Sequence, residues 1–342
     1  MNVLEYRFSG KKVTYYLDAS LSSLESLVPA NRSIVITDEH VYQAYADKLS
    51  GYKTIVIPAG EQHKNQPTVN YILEELIRME ADRQSFVIGI GGGVVTDIAG
   101  FAASVYMRGI RFGFVPTTVL GQVDASIGGK NGIDAGIYKN LIGVIRQPEF
   151  ILFDYTLLQT LPQAQWVNGF AEIIKHACIR DAQLFTLLAQ QQLEDFQHDQ
   201  ALLSELITRN VQIKSAIVLT DEFETGDRKL LNFGHTIGHA VENTYELLHG
   251  HAVSIGMAAA CDLSVAISGF PVVQQERVLQ VLEQYGLPVH LQFDKKKVFD
   301  ILKMDKKRVR EEMNFILLTS IGNAVIQKIP LKELKELIDK MS

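Results

Sequence analysis

The chain contains a plausible set of three ligands for a catalytic metal ion: Glu172, His235 and His249. Zinc accepts imidazole nitrogens and carboxylate oxygens, and a catalytic zinc ion keeps three protein ligands so that water or substrate can fill the open position. Neither histidine predicts a ligand alone, because most helical histidines serve packing and hydrogen bonding. The set of three predicts a metal site, and a glycine-rich loop in the same chain predicts a dinucleotide.

The glycine-rich loop is Gly91-Gly92-Gly93, which leads from an apolar β-type run into a helical pattern. Without Cβ atoms, the backbone N–H groups of such a loop can approach a diphosphate closely, and the helix N-terminus favours negative charge. A G-x-G-x-x-G motif that began at Gly89 would need a glycine at position 94, where the chain has Val94, so the segment does not match the usual motif. A tight structural turn would explain a bare glycine triplet, but the strand-loop-helix context favours nucleotide binding.

Two further segments admit both a ligand role and a structural one. Asp38 follows a β-type run and could bind ribose hydroxyls, which would favour NAD over NADP, or it could cap the following helix. The turn at residues 58–64 could line the cofactor site or merely lead into a helix.

The hydrophobic pattern predicts two domains of different class. Over 1–160, β-type runs at 34–37, 54–57, 86–89 and 112–115 alternate with helical patterns at 39–49, 65–80 and 94–107. Over 161–342, helices are predicted at 163–190, 199–219, 235–247, 252–269 and 272–285, with an isolated strand at 314–318. We therefore expect an N-terminal α/β domain with a parallel sheet, which carries the candidate nucleotide-binding loop, a mainly α-helical C-terminal domain, which carries the candidate metal ligands, and an active site in the cleft between them.

The composition argues against several classes of partner. Lys and Arg total 33 against 39 Asp and Glu, a formal net charge of −6, which disfavours nucleic acid or an anionic membrane as the main partner. The apolar run 252–270 contains Asp262 and mostly small residues, so it predicts a buried helix. The N-terminus lacks a signal-like pattern and Cys178 and Cys261 lie far apart, which together favour a cytoplasmic protein.

A series of spaced motifs runs in order along nearly the whole chain. They are Gly91-Gly92-Gly93 with Asp97, Tyr106-Met107-Arg108-Gly109, Pro116-Thr117-Thr118, Gln122-Val123-Asp124, Gly128-Gly129-Lys130, Lys139-Asn140, Leu161-Pro162, Glu172 to Lys175, and Asn232-Phe233-Gly234-His235-Thr236-Ile237-Gly238-His239. In these motifs the chain resembles the 3-dehydroquinate synthase family.

The resemblance implies an NAD- and metal-dependent sugar phosphate cyclase, a lyase of the shikimate pathway that leads to chorismate and the aromatic amino acids. Such an enzyme converts 3-deoxy-D-arabino-heptulosonate 7-phosphate to 3-dehydroquinate and phosphate. The mechanism that the resemblance implies is transient oxidation of a substrate hydroxyl by NAD, β-elimination of phosphate, re-reduction and an intramolecular aldol closure. NAD is therefore expected to be recycled.

The resemblance also implies roles for individual residues. The metal ligands are Glu172, His235 and His249, with zinc expected and cobalt also suited to these atoms. The implied NAD-binding residues are Asp38, Glu61, Lys64, Gly92, Gly93, Asp97, Thr117, Thr118, Asp124, Lys130, Lys139, Thr160 and Leu161. The implied substrate-binding residues are Arg108, Lys130, Lys139, Asn140, Lys175, Lys214, Arg228, Asn232 and one of Lys306 or Lys307. The implied catalytic residues are His239, Lys130, Lys175, Asn140 and Arg108.

Some of these residues have simpler interpretations. His239 is implied to relay protons near the metal, but its spacing four residues after His235 also suits helix packing. Lys175 could merely form a helix ion pair with Glu172, three residues earlier. The resemblance implies that Arg108 reaches a neighbouring subunit, which would make a homodimer functional.

The chain departs from the family pattern at a few positions. His251 stands where glutamate is more usual, which adds an imidazole near His249. Asn131 and Asp134 replace the more usual Thr and Asn, and His40 replaces an asparagine. These changes bear on the surroundings of the ligands and on ribose contacts.

Three alternative functions have the same cofactor signals. Other sugar phosphate cyclases, making deoxy-scyllo-inosose or epi-valiolone, differ in how they recognise the far end of the substrate, and the basic set including Lys214 and Arg228 favours a substrate with a carboxylate. Glycerol-dehydrogenase-like alcohol dehydrogenases need no paired anion sites. A non-catalytic nucleotide-binding protein would not need a metal set together with this basic set.

Overall fold

The computed structural model describes residues 2–136, 138–292, 294–303, 308–309 and 311–340. They form two compact units. The first contains the residues up to Trp166 together with Leu203–Glu222, and the second contains Val167–Leu202 and the residues from Phe223 onward. The sequence predicted one boundary near residue 160 and did not predict that 203–222 belongs with the first unit. Hydrophobic periodicity identifies a helix there but does not indicate the core against which it packs.

Twelve strands lie within the described part of the chain. In order they are β1 (Asn2–Phe8), β2 (Lys11–Leu17), β3 (Ser33–Asp38), β4 (Lys53–Ile57), β5 (Phe86–Gly91), β6 (Arg111–Pro116), β7 (Lys130–Ala135), β8 (Tyr138–Ile145), β9 (Phe150–Phe153), β10 (Arg308–Val309), β11 (Glu312–Ser320) and β12 (Asn323–Pro330).

Thirteen α-helices lie in the same described ranges. In order they are α1 (Leu24–Leu27), α2 (Glu39–Leu49), α3 (Gln66–Arg78), α4 (Gly93–Val105), α5 (Gln163–Arg180), α6 (Ala182–Gln190), α7 (Leu193–His198), α8 (Gln200–Thr220), α9 (His235–Tyr245), α10 (His249–Ser268), α11 (Val272–Gln284), α12 (Lys295–Lys303) and α13 (Leu331–Lys340).

The first unit contains a seven-stranded sheet in the order β1-β2-β9-β6-β5-β3-β4, and it is parallel except for the β1–β2 pair. Its central strands have continuous apolar runs such as Ile34-Val35-Ile36, which are buried because parallel strands are covered on both faces. The chain passes from β3 outward to β4 and returns to β5 on the other side of β3. Ligands of such sheets bind where the strand order reverses, at the carboxyl ends of the strands, and here those ends are Asp38 and Gly91.

The second unit is mainly helical, and the predicted combination of an α/β part with a helical part is confirmed. The prediction of an isolated strand at 314–318 is wrong, because β11 pairs with β10 and β12 in a three-stranded antiparallel sheet. The predicted helix 163–190 is also divided, since Asp181 accepts the N–H groups of Gln183 and Leu184 and so caps a new helix, α6.

The helix α10 passes through the core of the second unit. By length and composition it could cross a membrane, with a mean hydropathy of 1.4, but 72% of that stretch is buried inside the protein. The sequence predicted a buried helix here, although it placed the start at residue 252 rather than at His249.

Candidate functional sites

The predicted metal ligands lie on three helices of the second unit. Glu172 is in the middle of α5, while His235 and His249 are the first residues of α9 and α10. The Oε1 atom of Glu172 lies 3.4 Å from Nε2 of His235 and 3.3 Å from Nε2 of His249. One donor atom from each residue lies within 4.8 Å of the other two, so a single ion could bind all three.

Glycines allow these helix ends to approach one another. A Cβ atom at Gly256 of α10 would lie 1.8 Å from the carbonyl oxygen of Gly234, directly before α9. A Cβ atom at Gly250 would lie 2.3 Å from the carbonyl oxygen of Asn168 on α5. The Asn168 side chain also accepts the N–H of Gly250 at 2.6 Å. The positions of His235 and His249 therefore depend on glycine at both crossings.

Both imidazoles are held so that Nε2 faces Glu172. Nδ1 of His235 lies 3.1 Å from the carbonyl oxygen of Phe233, and Nδ1 of His249 lies 3.5 Å from Oε2 of Glu242. An acceptor at Nδ1 favours the tautomer that carries its proton there and leaves Nε2 as the metal donor. Two imidazole nitrogens and one carboxylate oxygen fit zinc or cobalt.

The site is rich in buried charge. Glu172 is completely buried, and its other carboxylate oxygen contacts the ammonium of Lys175, which is 1% exposed. Burial disfavours the charged form of His249, but hydrogen bonds to Glu172 and Glu242 outweigh it and raise the pKa of His249 to about 10. The metal-free site therefore stabilises a positive charge where an ion would bind.

Two further histidines lie on α9 and α10. The ring centroid of His239 lies 5.2 Å from that of His235 and 6.3 Å from that of His249, which suits a group acting beside the ligands. His251 is half-buried, and burial lowers its pKa. Among the described residues, the sets able to hold a metal include His249 and not His251.

Sequence reasoning did not identify Glu242, although it lies beside His249 in the second unit. Its spacing was available as a signal, because Glu242 follows His235 by seven residues and His239 by three, and so lies on the same side of the helix.

In the first unit, the glycine-rich loop joins β5 to α4 as predicted. A Cβ atom at Gly91 would lie 2.5 Å from the Val95 side chain, one at Gly92 would lie 3.1 Å from that of Thr118, and one at Gly93 would lie 3.0 Å from that of Ala125. The N–H of Thr117 donates to the carbonyl of Gly91 at 2.9 Å. The backbone of the loop therefore packs closely against the start of α4, with Thr117 and Thr118 beside it. Asp97 follows in the first turns of this helix.

Asp38 and Thr160 both have structural contacts. The Asp38 carboxylate accepts the N–H of Val41 at 2.9 Å and caps α2, which is the structural role that the sequence allowed. The Thr160 hydroxyl lies 2.7 Å from that of Tyr45, and Leu161 directly follows the short helical segment Tyr155–Thr160.

Lys64 is the centre of a buried polar network in the first unit. Its ammonium lies 2.6 Å from Oδ2 of Asp97 and 2.6 Å from Oδ1 of Asn140. Burial disfavours the ammonium, but the neighbouring carboxylates, chiefly Asp97, outweigh burial and raise the pKa of Lys64. Asp134 adds a further link, because it accepts the N–H of Asn140 at 2.7 Å. This departure from the family pattern thus helps to orient a predicted substrate residue.

The remaining predicted residues of the first unit have varied surroundings. Lys139 lies 3.7 Å from Glu61. Lys214 donates to the carbonyl and carboxylate of Asp124, at 2.6 and 2.7 Å. Lys130 and Arg108 are exposed, and Arg108 has a left-handed backbone with φ of 64°.

The structure describes some, but not all, of the residues of the second unit that were predicted to bind the anionic substrate. Arg228 is 2% exposed, and the side-chain amide of Asn232 donates to Glu224 at 2.8 Å. Lys306 and Lys307 lie outside the described residues.

Comparison with known proteins identifies the family. Residues 54–168 match the family described as 3-dehydroquinate synthase N-terminal, and residues 169–308 match the one described as 3-dehydroquinate synthase C-terminal. A 3-dehydroquinate synthase from Campylobacter concisus is 39% identical over 92% of this chain and 92% of its own length.

Solved structures share the fold. The 2-epi-5-epi-valiolone synthase of Streptomyces hygroscopicus, with NAD+ and Zn2+ bound, is 29% identical and covers 99% of this chain and 98% of its own, with a TM-score of 0.87. A 2-deoxy-scyllo-inosose synthase is 23% identical and covers 100% of both chains with a TM-score of 0.87, which shows a common fold. The matched residues span most of the chain, so it belongs to the 3-dehydroquinate synthase family.

Proposed function

We propose that this protein is a 3-dehydroquinate synthase that converts 3-deoxy-D-arabino-heptulosonate 7-phosphate to 3-dehydroquinate and phosphate in the shikimate pathway. The observation that carries the proposal is the convergence of Glu172, His235 and His249 in a chain of this family. Relatives named 3-dehydroquinate synthase, at 36–39% identity, support this substrate over those of the other cyclases.

We propose NAD and a divalent metal, zinc in the first place, as cofactors. The valiolone synthase with NAD+ and Zn2+ supports both. NAD supplies a hydride acceptor, and the metal supplies a Lewis acid that lowers the pKa of a bound hydroxyl. The reversal of strand order at Asp38 and Gly91 supports the cofactor position in the first unit.

The chain's own residues bind the anionic substrate and move protons. Lys130, Lys175, Lys214 and Arg228 are proposed to neutralise the phosphate and carboxylate, and Asn140 and Asn232 to add neutral hydrogen bonds. His239, beside both ligand histidines, is proposed to relay the proton of the reacting hydroxyl. Arg108 is proposed to act from a neighbouring subunit.

We also propose a cytoplasmic homodimer. The exposed Arg108 is preceded by Met107, which is 42% exposed, and the first unit also exposes Leu141 by 60%. In the proposed homodimer, the exposed Arg108 reaches the neighbouring subunit. Analytical ultracentrifugation would test the dimer, and a monomer at assay concentrations would contradict it.

One assay tests the activity. Purified protein is given the heptulosonate phosphate, zinc and NAD in trace amount, while phosphate release and NADH are followed together. Phosphate formed in large excess over NAD, without net NADH, supports the proposal. Net NADH from a simple polyol would indicate a dehydrogenase instead, and turnover of another sugar phosphate alone would indicate a different cyclase.

Zinc binding is expected to weaken as the pH falls. The pKa of His249 in the metal-free protein is about 10, so its imidazole is protonated near neutral pH and must lose that proton to bind zinc. Competition by one proton lowers the apparent affinity about tenfold per pH unit below that pKa. Chelator competition at about pH 7 and about pH 8 would measure this change, and equal affinities would contradict the expectation.

The raised pKa of His249 also makes the stability of the metal-free protein depend on pH, and this stability falls, whereas zinc affinity rises, as the pH increases. Because the pKa of His249 is raised from 6.5 to about 10 on folding, its stabilising contribution is fully present below 6.5 and is lost as the pH rises through about 10.

A further inference from the structure

Glu242 is a buried carboxylate behind the candidate metal ligands of the second unit. It is 4% exposed, and its Oε2 atom lies 3.5 Å from Nδ1 of His249. Donor atoms of His239, Glu242 and His249 lie within 4.8 Å of one another. A buried carboxylate is costly unless it is paired, so this position requires a cationic or donating neighbour.

The two ligand histidines are supported differently. Nδ1 of His235 faces a neutral backbone carbonyl, whereas Nδ1 of His249 faces a carboxylate. The His249 side chain is 28% exposed and that of His235 is 11% exposed, so the surrounding packing restrains His249 less. A charged acceptor compensates for this, because it fixes the ring and makes the imidazole a stronger donor to a metal.

Glu242 also changes the charge of the site. Glu172 contacts the ammonium of Lys175, so these two opposite charges largely offset each other. The carboxylate of Glu242 adds a further negative charge next to His249, one of the three proposed ligands. Such a charge favours the binding of a divalent cation over an empty site.

We infer that Glu242 is a positioning residue that accepts the Nδ1–H of His249, directs its Nε2 to the metal and strengthens metal binding. The inference rests on the proposed metal site of Glu172, His235 and His249. Glu242 would act through the imidazole of His249, whose Nδ1 faces Glu242 and whose Nε2 faces Glu172, rather than bind the metal itself.

The test measures metal binding rather than turnover. Zinc affinity is determined by competition with a chromophoric chelator, and the geometry of the site is monitored by the visible spectrum of the cobalt-loaded protein. Glu242→Gln keeps an acceptor of the same length without the charge, and Glu242→Ala removes both. Glu246→Gln is the matched control, since Glu246 is exposed at the end of the same helix.

We expect Glu242→Gln to bind zinc about tenfold more weakly with a nearly unchanged cobalt spectrum, and Glu242→Ala to bind it about 10–100-fold more weakly with an altered spectrum. The control should match the wild-type protein. If Glu242→Ala does not fold, the nearly isosteric Glu242→Gln alone decides the outcome.

Two results would overturn the inference while leaving the proposed function intact. One is zinc affinity within about twofold of wild type in both folded variants, below the effect expected of such a partner. The other is a second equivalent of metal in the wild-type protein that the Glu242 variants lose, which would make Glu242 a direct ligand. A wild-type protein that binds neither zinc nor cobalt would overturn the proposed metal-dependent function as well.

Discussion

Replacing His249 with alanine is expected to remove the bound metal and to lower kcat by more than about 100-fold. Partners behind a metal ligand are worth about 10–100-fold in affinity or activity, and a direct ligand is worth more. His249 is the first residue of α10 and its side chain is 28% exposed, so its truncation leaves no large cavity. Metal content after dialysis, kcat and thermal unfolding are measured together.

The matched control for this variant is His251→Ala. His251 lies two residues later on the same helix, is half-buried and belongs to none of the ligand sets among the described residues. We expect it to keep both its metal and most of its turnover. Loss of metal from His251→Ala with full loading of His249→Ala would show that the ligand was assigned to the wrong histidine.

The parallel sheet could be predicted because its central strands are continuous apolar runs. β3 and β5 are buried along almost their whole length, which leaves a clear signal in the sequence. β1 and β8 have many exposed positions: β1 has no continuous apolar run, and the run at 141–145 in β8 is largely exposed rather than buried. Strands of this kind form because a neighbour in the fold pairs with them, which local composition does not reveal.

The candidate site could be predicted as a set of residues but not as a geometry. The spacing of His235 and His239 places both on one helix, and the family motifs indicate Glu172 and His249. The sequence does not show that Gly250 and Gly256 permit the helix ends to approach, because this depends on atoms of Asn168 and Gly234 that are distant in the chain. Glu242 was missed for a related reason, since its partner His249 belongs to a different helix.

Glu172 has a second role that its replacement should reveal. Its carboxylate faces the two ligand histidines through one oxygen and contacts the buried ammonium of Lys175 through the other. Glu172→Gln therefore removes a proposed metal ligand and also the carboxylate that contacts Lys175. Removing one partner of a buried ion pair typically costs about 3–5 kcal/mol, because the other charge stays buried. We therefore expect a loss of that size in the free energy of unfolding of the metal-free protein.

A second substitution separates stability from metal binding. In the double variant Glu172→Gln with Lys175→Met, both charges of this contact are removed, and we expect at least half of the lost free energy of unfolding to return, since neutral replacement of buried ion pairs is often tolerated. Metal binding should not return, because the carboxylate ligand is still absent.

Asp339→Asn, which breaks the exposed Lys335–Asp339 pair, is the control and should change stability by less than about 1 kcal/mol. Urea unfolding in the presence of a chelator measures all three variants. A double variant as unstable as Glu172→Gln would show that the Lys175 contact is not the source of the loss, and recovery of metal would show that Glu172 is not a ligand.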